Sequence, residues 1–458
     1  MLRSRFVRAC LLAAAAFSSA IALSSAAAQT AGGYHVVKKI AVGGEGGWDY
    51  ALVDAAARRL YVSHGTKAVV IDIEKDAVIG EVTPANGIHG IALAPEFNRG
   101  FTSNGRDTTV TIFDLKTLAT IGSVKVTGAN PDAIWYDDAS KRVFTFNGSG
   151  KNATAIDAAK GEVVGTIALG AKPEFAQNDG KGLLFVNLET DTGQVAVIDT
   201  KALRETKRYW LPGCEGPSGL AIDRKNNRLF SVCGNKTMAV SDPATGKVVA
   251  LVPICAGPDA AAFDPATKMV FASCGGGVMT VVTQESADTY TPLGDAPTQR
   301  GSRTMAYDTK THRAYLAAAE YGQAPAPQPG ARPARPPMVP GSFSVIVVEA
   351  PAAQGVTVKE EKPGLLTKAG ITAEAATATA QARLPTAKLK SAEIEEEKGK
   401  LIYSFDFETA GKPGIDEVNV DAMTGTVLAV EHETPKSEAA EAAKGKAKDK
   451  AKAPAKKP

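Results

Sequence analysis

The sequence predicts a mainly β protein, in which a seven-bladed β-propeller is followed by a small α+β domain. A unit of about 42 residues recurs seven times, and a complete unit contains four short strand patterns separated by turn signals. The repetition stops near residue 350, where a helical pattern and a new set of strands begin. Four strands per unit is typical of a propeller blade, and a composition of 44% hydrophobic and 22% charged residues is typical of globular proteins.

The first 28 residues have the pattern of an export signal. The arginine-containing segment 1–8 precedes an Ala/Leu-rich stretch that ends near Leu23, and 26–28 are three alanines. A basic start, a short apolar segment and a small-residue exit define a secretory signal peptide. We therefore expect 1–28 to be removed, the protein to be periplasmic or secreted in a bacterium, and no transmembrane segment to remain after cleavage.

The predicted propeller spans 34–350, and each repeat places one residue at the start of its innermost strand. Such residues face the mouth of the central channel, and here they are spaced by 40, 43, 42, 44, 41 and 44 positions. We call these seven positions the mouth residues: Asp49, His89, Asp132, Glu174, Ser218, Asp259 and Arg303. Because the seventh unit supplies only three strands, we expect the strand pattern at 35–42 to close the ring as the outer strand of the last blade.

Two second strands carry a family resemblance. The segments Leu60–His64 (LYVSH) and Leu184–Asn187 (LFVN) resemble the Tyr-Val-Thr-Asn signature of the YVTN (YncE-like) propeller repeats. The resemblance covers roughly 35–350. It implies the propeller fold and little about function, because propellers host very different activities.

Four cysteines follow the signal segment as two couples, each 19 residues apart. In each couple the first cysteine lies three residues before a proline that opens a unit, and the second ends a second strand. These two places lie at the same end of a four-stranded sheet. We therefore predict the disulfides Cys214–Cys233 and Cys255–Cys274, which fit an oxidising compartment.

Carboxylates dominate the mouth residues: Asp49, Asp132, Glu174 and Asp259. Such a ring needs a cation, Arg303, water or a raised pKa to be stable. Oxygen ligands suit calcium or magnesium, and the single histidine, His89, would also tolerate zinc or manganese. Two interpretations stay open: the residues cap the blades in water, or they form a metal or small-ligand site.

A second polar ring is predicted beside the mouth residues, at the ends of second strands. It could extend a pocket, although asparagine at such places also suits turns. Its members are His64, Asn104, Asn147 and Asn187.

A proline-rich segment, Gln323–Pro340, interrupts the seventh blade. Proline favours extended conformations and excludes a helix or a central strand there. The segment is interpreted either as a solvated loop or as a docking segment or lid over the channel.

The part after Ala350 is predicted to be a different module. Residues 351–362 have the composition of a linker, and Thr372 is a candidate N-cap for an alanine-rich helix that ends near Leu384. The alternation from Leu401 to Glu408 predicts a strand with one buried face, and Glu395–Glu397 are expected to form a solvated turn.

This module resembles the PepSY domain over 363–433. The run Lys400–Phe405 and the hairpin Val420–Gly425 carry the likeness. The resemblance implies protein binding or inhibitory regulation and does not imply catalysis. The remaining segment, 434–458, is rich in lysine and alanine, lacks large apolar residues and is expected to be disordered.

These patterns favour an exported, non-enzymatic binding protein. We expect the ring to bind a protein or a small molecule at one face and the PepSY-like module to bind or inhibit a protein partner in the cell envelope. The alternative is a metal-dependent hydrolase or lactonase-type enzyme that uses the mouth carboxylates. The net charge of +3 gives no reason to expect a nucleic-acid partner, and the sequence contains no HExxH, GxSxG or phosphate-loop motif.

Overall fold

The computed structural model describes four ranges of the chain: 33–325, 336–350, 357–384 and 386–434. The predicted signal peptide and the tail from residue 435 lie outside the described residues. So do the middle of the proline-rich segment and the first part of the predicted linker.

Seven four-stranded antiparallel sheets form the propeller, and consecutive strands of each blade are neighbours in its sheet. The chain begins with β1 (His35–Ala41). Blade one contains β2 (Ala51–Asp54), β3 (Arg59–His64), β4 (Lys67–Asp72) and β5 (Ala77–Val82). Blade two contains β6 (Ile88–Ala94), β7 (Arg99–Asn104), β8 (Thr109–Asp114) and β9 (Thr120–Lys125). Blade three contains β10 (Pro131–Asp137), β11 (Arg142–Asn147), β12 (Asn152–Asp157) and β13 (Glu162–Ala168).

The same pattern continues through the rest of the ring. Blade four contains β14 (Lys172–Asn178), β15 (Leu183–Glu189), β16 (Gln194–Asp199) and β17 (Arg204–Trp210). Blade five contains β18 (Pro217–Asp223), β19 (Arg228–Cys233), β20 (Thr237–Asp242) and β21 (Lys247–Pro253). Blade six contains β22 (Pro258–Asp264), β23 (Met269–Cys274), β24 (Val278–Ser286) and β25 (Thr289–Pro297). Blade seven contains β26 (Met305–Asp308), β27 (Arg313–Ala318) and β28 (Ser344–Glu349).

The first strand of the chain closes the ring, as the sequence predicts. Strand β1 pairs antiparallel with β28, and Ile40 lies opposite Val345. The sheet order β1-β28-β27-β26 makes β1 the outer strand of blade seven. Because one blade combines both ends of the propeller segment, the ring cannot open without breaking this sheet.

An arginine at the start of a second strand joins several blades to the next one, a feature that the sequence analysis missed. The Arg59 guanidinium donates to the carbonyl oxygen of Leu115 in the following blade, with a distance of 2.5 Å. The same contact recurs in three other places: Arg99 to Ala158 at 3.2 Å, Arg142 to Thr200 at 2.6 Å and Arg228 to Ala287 at 3.2 Å.

Both predicted disulfides are present. Cys214 is bonded to Cys233 and Cys255 to Cys274, with Cα–Cα distances of 5.3 and 6.0 Å. Each bond ties the loop before an inner strand to the end of the second strand of the same blade.

The C-terminal module is a five-stranded sheet with one helix. A short 3-10 turn, Leu366–Lys368, precedes helix α1 (Ala373–Arg383). Thr372 caps this helix as predicted, because its hydroxyl accepts a hydrogen bond from the Ala375 N–H at 3.2 Å. The strands, in sheet order, are β29 (Lys359–Glu360), β30 (Lys388–Glu397), β31 (Lys400–Glu408), β32 (Ile415–Asp421) and β33 (Val427–Glu433).

Two details of this module differ from the expectation. Glu395–Glu397 form the end of β30 and not a turn, because β30 pairs with β31 as far as Glu397 and Lys400. The turn itself contains Lys398 and Gly399, both with positive φ. In addition, β29 lies within the predicted linker and pairs in parallel with β30.

Helix α1 is packed between its own sheet and the propeller. Ala376 and Ala380 belong to the core of the module, whereas Thr379 and Arg383 contact blades six and seven. The Thr379 hydroxyl lies 3.1 Å from Nε2 of His312, and Arg383 forms an ion pair with Glu285 at 3.0 Å. These contacts lie at the ends of the inner and third strands, which is the side of the ring opposite the mouth residues.

Helices long and apolar enough to cross a membrane do not occur in the described part of the chain.

Candidate ligand site at the mouth of the ring

The mouth residues are fixed by hydrogen bonds between neighbouring blades. The Ser103 hydroxyl donates to the carbonyl oxygen of Asp132, and the Thr304 hydroxyl donates to that of Asp49 at 3.0 Å. Ser218 makes the same contact with the carbonyl oxygen of Asp259 at 3.1 Å. Because each contact crosses to an adjacent blade, the ring determines the separation of the mouth side chains.

Asp49, His89 and Asp132 converge at the mouths of blades one to three. His89 Nδ1 lies 2.6 Å from Oδ2 of Asp49 and 3.6 Å from Oδ1 of Asp132. One ligand atom from each residue lies within 4.8 Å of the other two, which is a separation that a single metal ion could bridge. The sequence predicted these three as ring members, and the structure brings them together.

His89 is placed to carry a proton on both ring nitrogens. Nδ1 contacts the Asp49 carboxylate, and a further hydrogen bond joins the imidazole to the Asn130 side chain. Burial lowers the pKa of His89, but the Asp49 hydrogen bond and the charges of Asp132 and Asp49 outweigh it, so that the pKa is raised overall.

Asp132 lies in a more protected position and interacts with Tyr50. Burial raises the pKa of Asp132 to about 6, against the opposing charge of His89 and a hydrogen bond from Tyr50. Burial, together with the charges of Asp132 and Glu174, raises the pKa of Tyr50 well above its usual value. The Tyr50 ring packs on Phe175 with 4.6 Å between ring centroids, so an aromatic pair lies beside the carboxylates.

The mouth of blade four contains a lysine between two glutamates. Lys172 forms ion pairs with Glu174 and Glu189. Burial and the charge of Asp132 raise the pKa of Glu174, and a hydrogen bond joins this carboxyl to Glu189. Burial opposes ionisation of Glu189 too, but hydrogen bonds from Lys172 and Glu174 lower its pKa. The geometry therefore favours a proton on Glu174 and a negative charge on Glu189.

The mouths of blades six and seven contribute one opposite-charge pair. Arg303 Nε lies 3.5 Å from Oδ2 of Asp259. Burial still raises the pKa of Asp259 to about 6, against the charge of Arg303. The Ser218 hydroxyl donates to the backbone carbonyl oxygens of Pro258 and Asp259, and so it positions the neighbouring blade.

The second predicted ring is used inside the blades. Asn104 bonds Thr102, Thr109 and Thr111 of its own sheet, and Asn147 makes the equivalent bonds to Thr145, Asn152 and Thr154. His64 is buried and stacks on Phe343 with 4.1 Å between ring centroids. Asn187 bonds the next blade, donating to the carbonyl oxygens of Ser218 and Gly219 and accepting from the Ser231 hydroxyl. The structure therefore does not bring these four residues into the Asp49–His89–Asp132 cluster.

Sequence reasoning missed four side chains of the site: Tyr50, Asn130, Lys172 and Glu189. Tyr50 and Asn130 lie within two positions of a mouth residue, as does Lys172, so a search of the flanking positions would have found them. Glu189 ends a second strand, and only the pairing of Lys172 with Glu189 across β14 and β15 brings it to the mouth.

The arrangement can attract and hold positive charge. Carboxylates from blades one, three, four and six lie at one end of the ring, and those of Asp132 and Asp259 have a pKa raised to about 6 by burial. A cation that entered would favour their ionised forms and lower each pKa. The geometry also offers a proton acceptor, Asp132, beside a phenol.

Comparison with known proteins identifies the C-terminal module and supports the fold. Residues 370–431 match the family model "Peptidase propeptide and YPEB domain" (PepSY). No curated protein matches the chain. The hydrazine synthase structure from Kuenenia stuttgartiensis is similar over 60% of this chain and 94% of its own, with 17% identity and a TM-score of 0.53.

Two further solved structures share the ring architecture. A chain in a mitotic checkpoint complex structure is similar over 69% of this chain and 96% of its own, with 13% identity and a TM-score of 0.55. A structure of U3-55K covers 69% of this chain and 99% of its own, with 10% identity and a TM-score of 0.56. At these identities the likeness extends to the fold alone. The chain thus combines a seven-bladed propeller with a PepSY domain.

Proposed function

We propose that this chain is an exported binding protein with two separate binding surfaces. The mouth of the ring binds a divalent cation or a small ligand that carries positive charge, and the PepSY domain contacts a protein of the cell envelope. The observation that carries the first part is the convergence of Asp49, His89 and Asp132. The PepSY match and the two disulfides support the second part and the exported location.

The position of the PepSY domain supports the proposal of two separate binding surfaces. Helix α1 contacts the propeller through Thr379 and Arg383, on the side of the ring opposite the mouth. A ligand at the mouth and a protein on the PepSY domain would therefore not compete for the same space. We also propose that the blades belong to the YVTN type, on the strength of their second strands.

The donor set favours zinc or manganese over calcium. It combines two carboxylates with one imidazole, whereas calcium prefers six to eight oxygen ligands. In the described state Nδ1 of His89 contacts Asp49, so an ion would have to displace the proton between them. Asp49, His89 and Asp132 would hold the ion, and Glu174 lies at the mouth of the next blade.

Isothermal titration calorimetry with Zn²⁺, Mn²⁺, Mg²⁺ and Ca²⁺ tests the site. We expect one ion per chain, with binding lost in Asp132→Asn and kept in Asp138→Asn, an exposed position just beyond the end of β10. Binding that survived both substitutions would contradict a metal site here, and a titration with small amines would then test the organic-cation form of the proposal.

A metal-dependent hydrolase is the second candidate, and the same cluster favours it. A metal ion held by Asp49, His89 and Asp132 would supply a Lewis acid and an activated water. Hydrolysis of lactones or esters that depends on added metal and disappears in Asp132→Asn would favour the enzyme. Metal binding without turnover would favour the binding protein.

A further inference from the structure

The PepSY sheet has one face that points away from helix α1. Side chains alternate along β30 to β33, and those that point towards α1 form the apolar core around Tyr403, Phe405 and Val418. The opposite face carries mainly acidic groups, and we call it the acidic face. Six of its carboxylates belong to Glu393, Glu395, Asp406, Glu417, Asp421 and Glu431, and Glu397 and Glu408 lie at its margins.

The strand register places these carboxylates close together. Asp406 lies opposite Glu417, and Glu417 lies opposite Glu431, so one row of three acidic residues crosses three neighbouring strands. Directly opposed like charges destabilise an antiparallel sheet. The repulsion within this row therefore lowers the stability of the isolated domain, and a positively charged occupant would relieve it.

The described residues neutralise the acidic face only at its margins, where Lys390 pairs with Glu408 and Lys398 pairs with Glu397. The Ser391 hydroxyl donates to Asp406 at 2.6 Å, and the Ser404 hydroxyl donates to Glu417 at 2.7 Å, but both donors are neutral. Among the residues that the structure describes, none of the six carboxylates forms an ion pair within 4.0 Å. Burial and the charges of Glu393 and Glu417 raise the pKa of Glu395, as expected for crowded acids.

A segment of suitable charge follows this face directly in sequence. Strand β33 is the edge strand, Glu431 lies near its end, and the described chain stops at Thr434. Residues 435–458 contain eight lysines against three acidic residues. A random-coil chain of 24 residues has a root-mean-square span of about 25 Å, and strands about 4.8 Å apart make the face about 20 Å wide, so the length of 435–458 suffices to cross it.

We propose that the lysine-rich tail, 435–458, docks in cis on the acidic face of the PepSY sheet. The pairing is electrostatic and sequence-tolerant, since lysines spaced along the tail can exchange among the six carboxylates. Tethering gives the tail a millimolar effective concentration at the face, so a protein that binds this face must displace it. This proposal concerns a surface remote from the mouth of the ring and does not rest on the ligand proposed there.

Zero-length carbodiimide cross-linking of the full exported chain, followed by peptide mass spectrometry, tests the proposal. At low salt and submicromolar protein, we expect tail lysines to be joined to peptides that contain Glu393, Glu417 or Glu431. The triple variant Glu393→Gln, Glu395→Gln and Glu417→Gln should reduce these cross-links about fivefold or more, and so should 0.5 M NaCl. The variant should melt at or above the wild-type temperature, because it relieves repulsion and leaves the apolar core unchanged.

A matched control variant removes the same number of carboxylates from the propeller. Glu162→Gln, Asp191→Asn and Glu215→Gln remove three exposed acidic residues of the propeller and should leave the tail cross-links unchanged. Cross-links spread evenly over the acids of the ring and the module, or unaffected by the triple variant, would overturn the proposal. So would cross-links that form only between differently isotope-labelled chains, because the face would then accept the basic segment of another molecule.

Discussion

At the scale of single residues, the mouth of the ring combines charged side chains, and the fold largely buries the carboxylates of Asp132, Glu174 and Asp259. Asp132 illustrates how burial of a carboxyl group makes the stability of the fold depend on pH. Its folded-state pKa is about 6, whereas an unfolded aspartate has a pKa of about 4, so the folded chain binds this proton more tightly. The contribution to the free energy of unfolding is present at acidic pH and is lost as the pH rises through about 6.

Asp132→Asn should weaken that pH dependence. Between pH 4 and pH 6.5 the wild-type free energy of unfolding should fall by about 2 kcal/mol more than that of the variant, since asparagine cannot ionise. Urea unfolding at the two pH values measures the difference. Asp138→Asn is the control, because its side chain is exposed, and it should keep the wild-type dependence. Equal slopes in Asp132→Asn and wild type would show that Asp132 ionises normally.

Gly219 marks a place where two blades approach too closely for a side chain. A Cβ atom there would lie 2.4 Å from the carbonyl oxygen of Asp259 and 2.8 Å from Cα of Ala260. Both atoms are backbone, so the inner strands would have to separate. Gly219→Ala should reduce the free energy of unfolding by about 3 kcal/mol.

A denaturation series with Gly122→Ala as the partner variant tests this clash. A Cβ at Gly122 meets no atom within 4 Å, and the residue lies in the outer strand β9. Gly122→Ala should be neutral or stabilise by a few tenths of a kcal/mol, since alanine restricts the unfolded chain. If the two alanine variants melted together, the close approach of β18 and β22 would be refuted.

At the scale of elements, strand β1 determines whether the ring stays closed. Ile40 is 3% exposed and packs in a core cluster with Val345 and Val347, whereas Val36 of the same strand is 39% exposed. Ile40→Ala should therefore cost about 3 kcal/mol, and Val36→Ala less than about 0.5 kcal/mol. Thermal melts of both variants provide the measurement. Equal melting temperatures would mean that β1 contributes little to closure.

Helix α1 is the element that connects the two parts of the molecule. Arg383 is 8% exposed, donates to Thr283 of β24 and pairs with Glu285. Arg383→Ala should weaken docking, and the amides of α1 should exchange with deuterium about tenfold faster while those of β24 remain protected. The exposed Lys388→Ala variant, in the same module, should exchange as wild type does. Uniform exchange in all three proteins would show that Arg383 does not hold the helix.

Much of the fold follows from the sequence because the repeat carries positional information. The period assigns Cys214 and Cys233 to the same end of one sheet, and the missing strand of blade seven leaves 35–42 as its only partner. Thr372 is recognisable as a cap because the helix that follows is rich in alanine. Glu395–Glu397 were misassigned because three charges in a row look like a turn, although their strand partners, Leu401 and Ile402, determine their conformation.

The site was less predictable for a physical reason. The period shows that the mouth residues share one end of the ring, but it does not show which of them touch. Contacts such as His89 with Asp49 depend on rotamers and on the approach of adjacent blades. The pairing of Lys172 with Glu189 depends on strand register, and Asn104 and Asn147 are satisfied within their own sheets.

At the scale of the whole molecule, the two proposed binding surfaces lie on different parts of the chain. The mouth residues gather at one end of the ring, α1 is attached at the other, and the acidic face of the PepSY sheet points away from its helix. The disulfides of blades five and six strengthen the loops that lead to the mouth. This arrangement suits a protein that holds a ligand and a second protein at once.

Native mass spectrometry of the protein without residues 1–28, purified without chelator and then incubated with Zn²⁺ or Mn²⁺, tests the central claim most directly. Wild type should gain the mass of one ion per chain, and both Asp132→Ala and His89→Ala should lose it, whereas Asp138→Ala should retain it. A wild-type mass that stays metal-free, or an ion retained in both Asp132→Ala and His89→Ala, would contradict a cation site at the mouth of the ring.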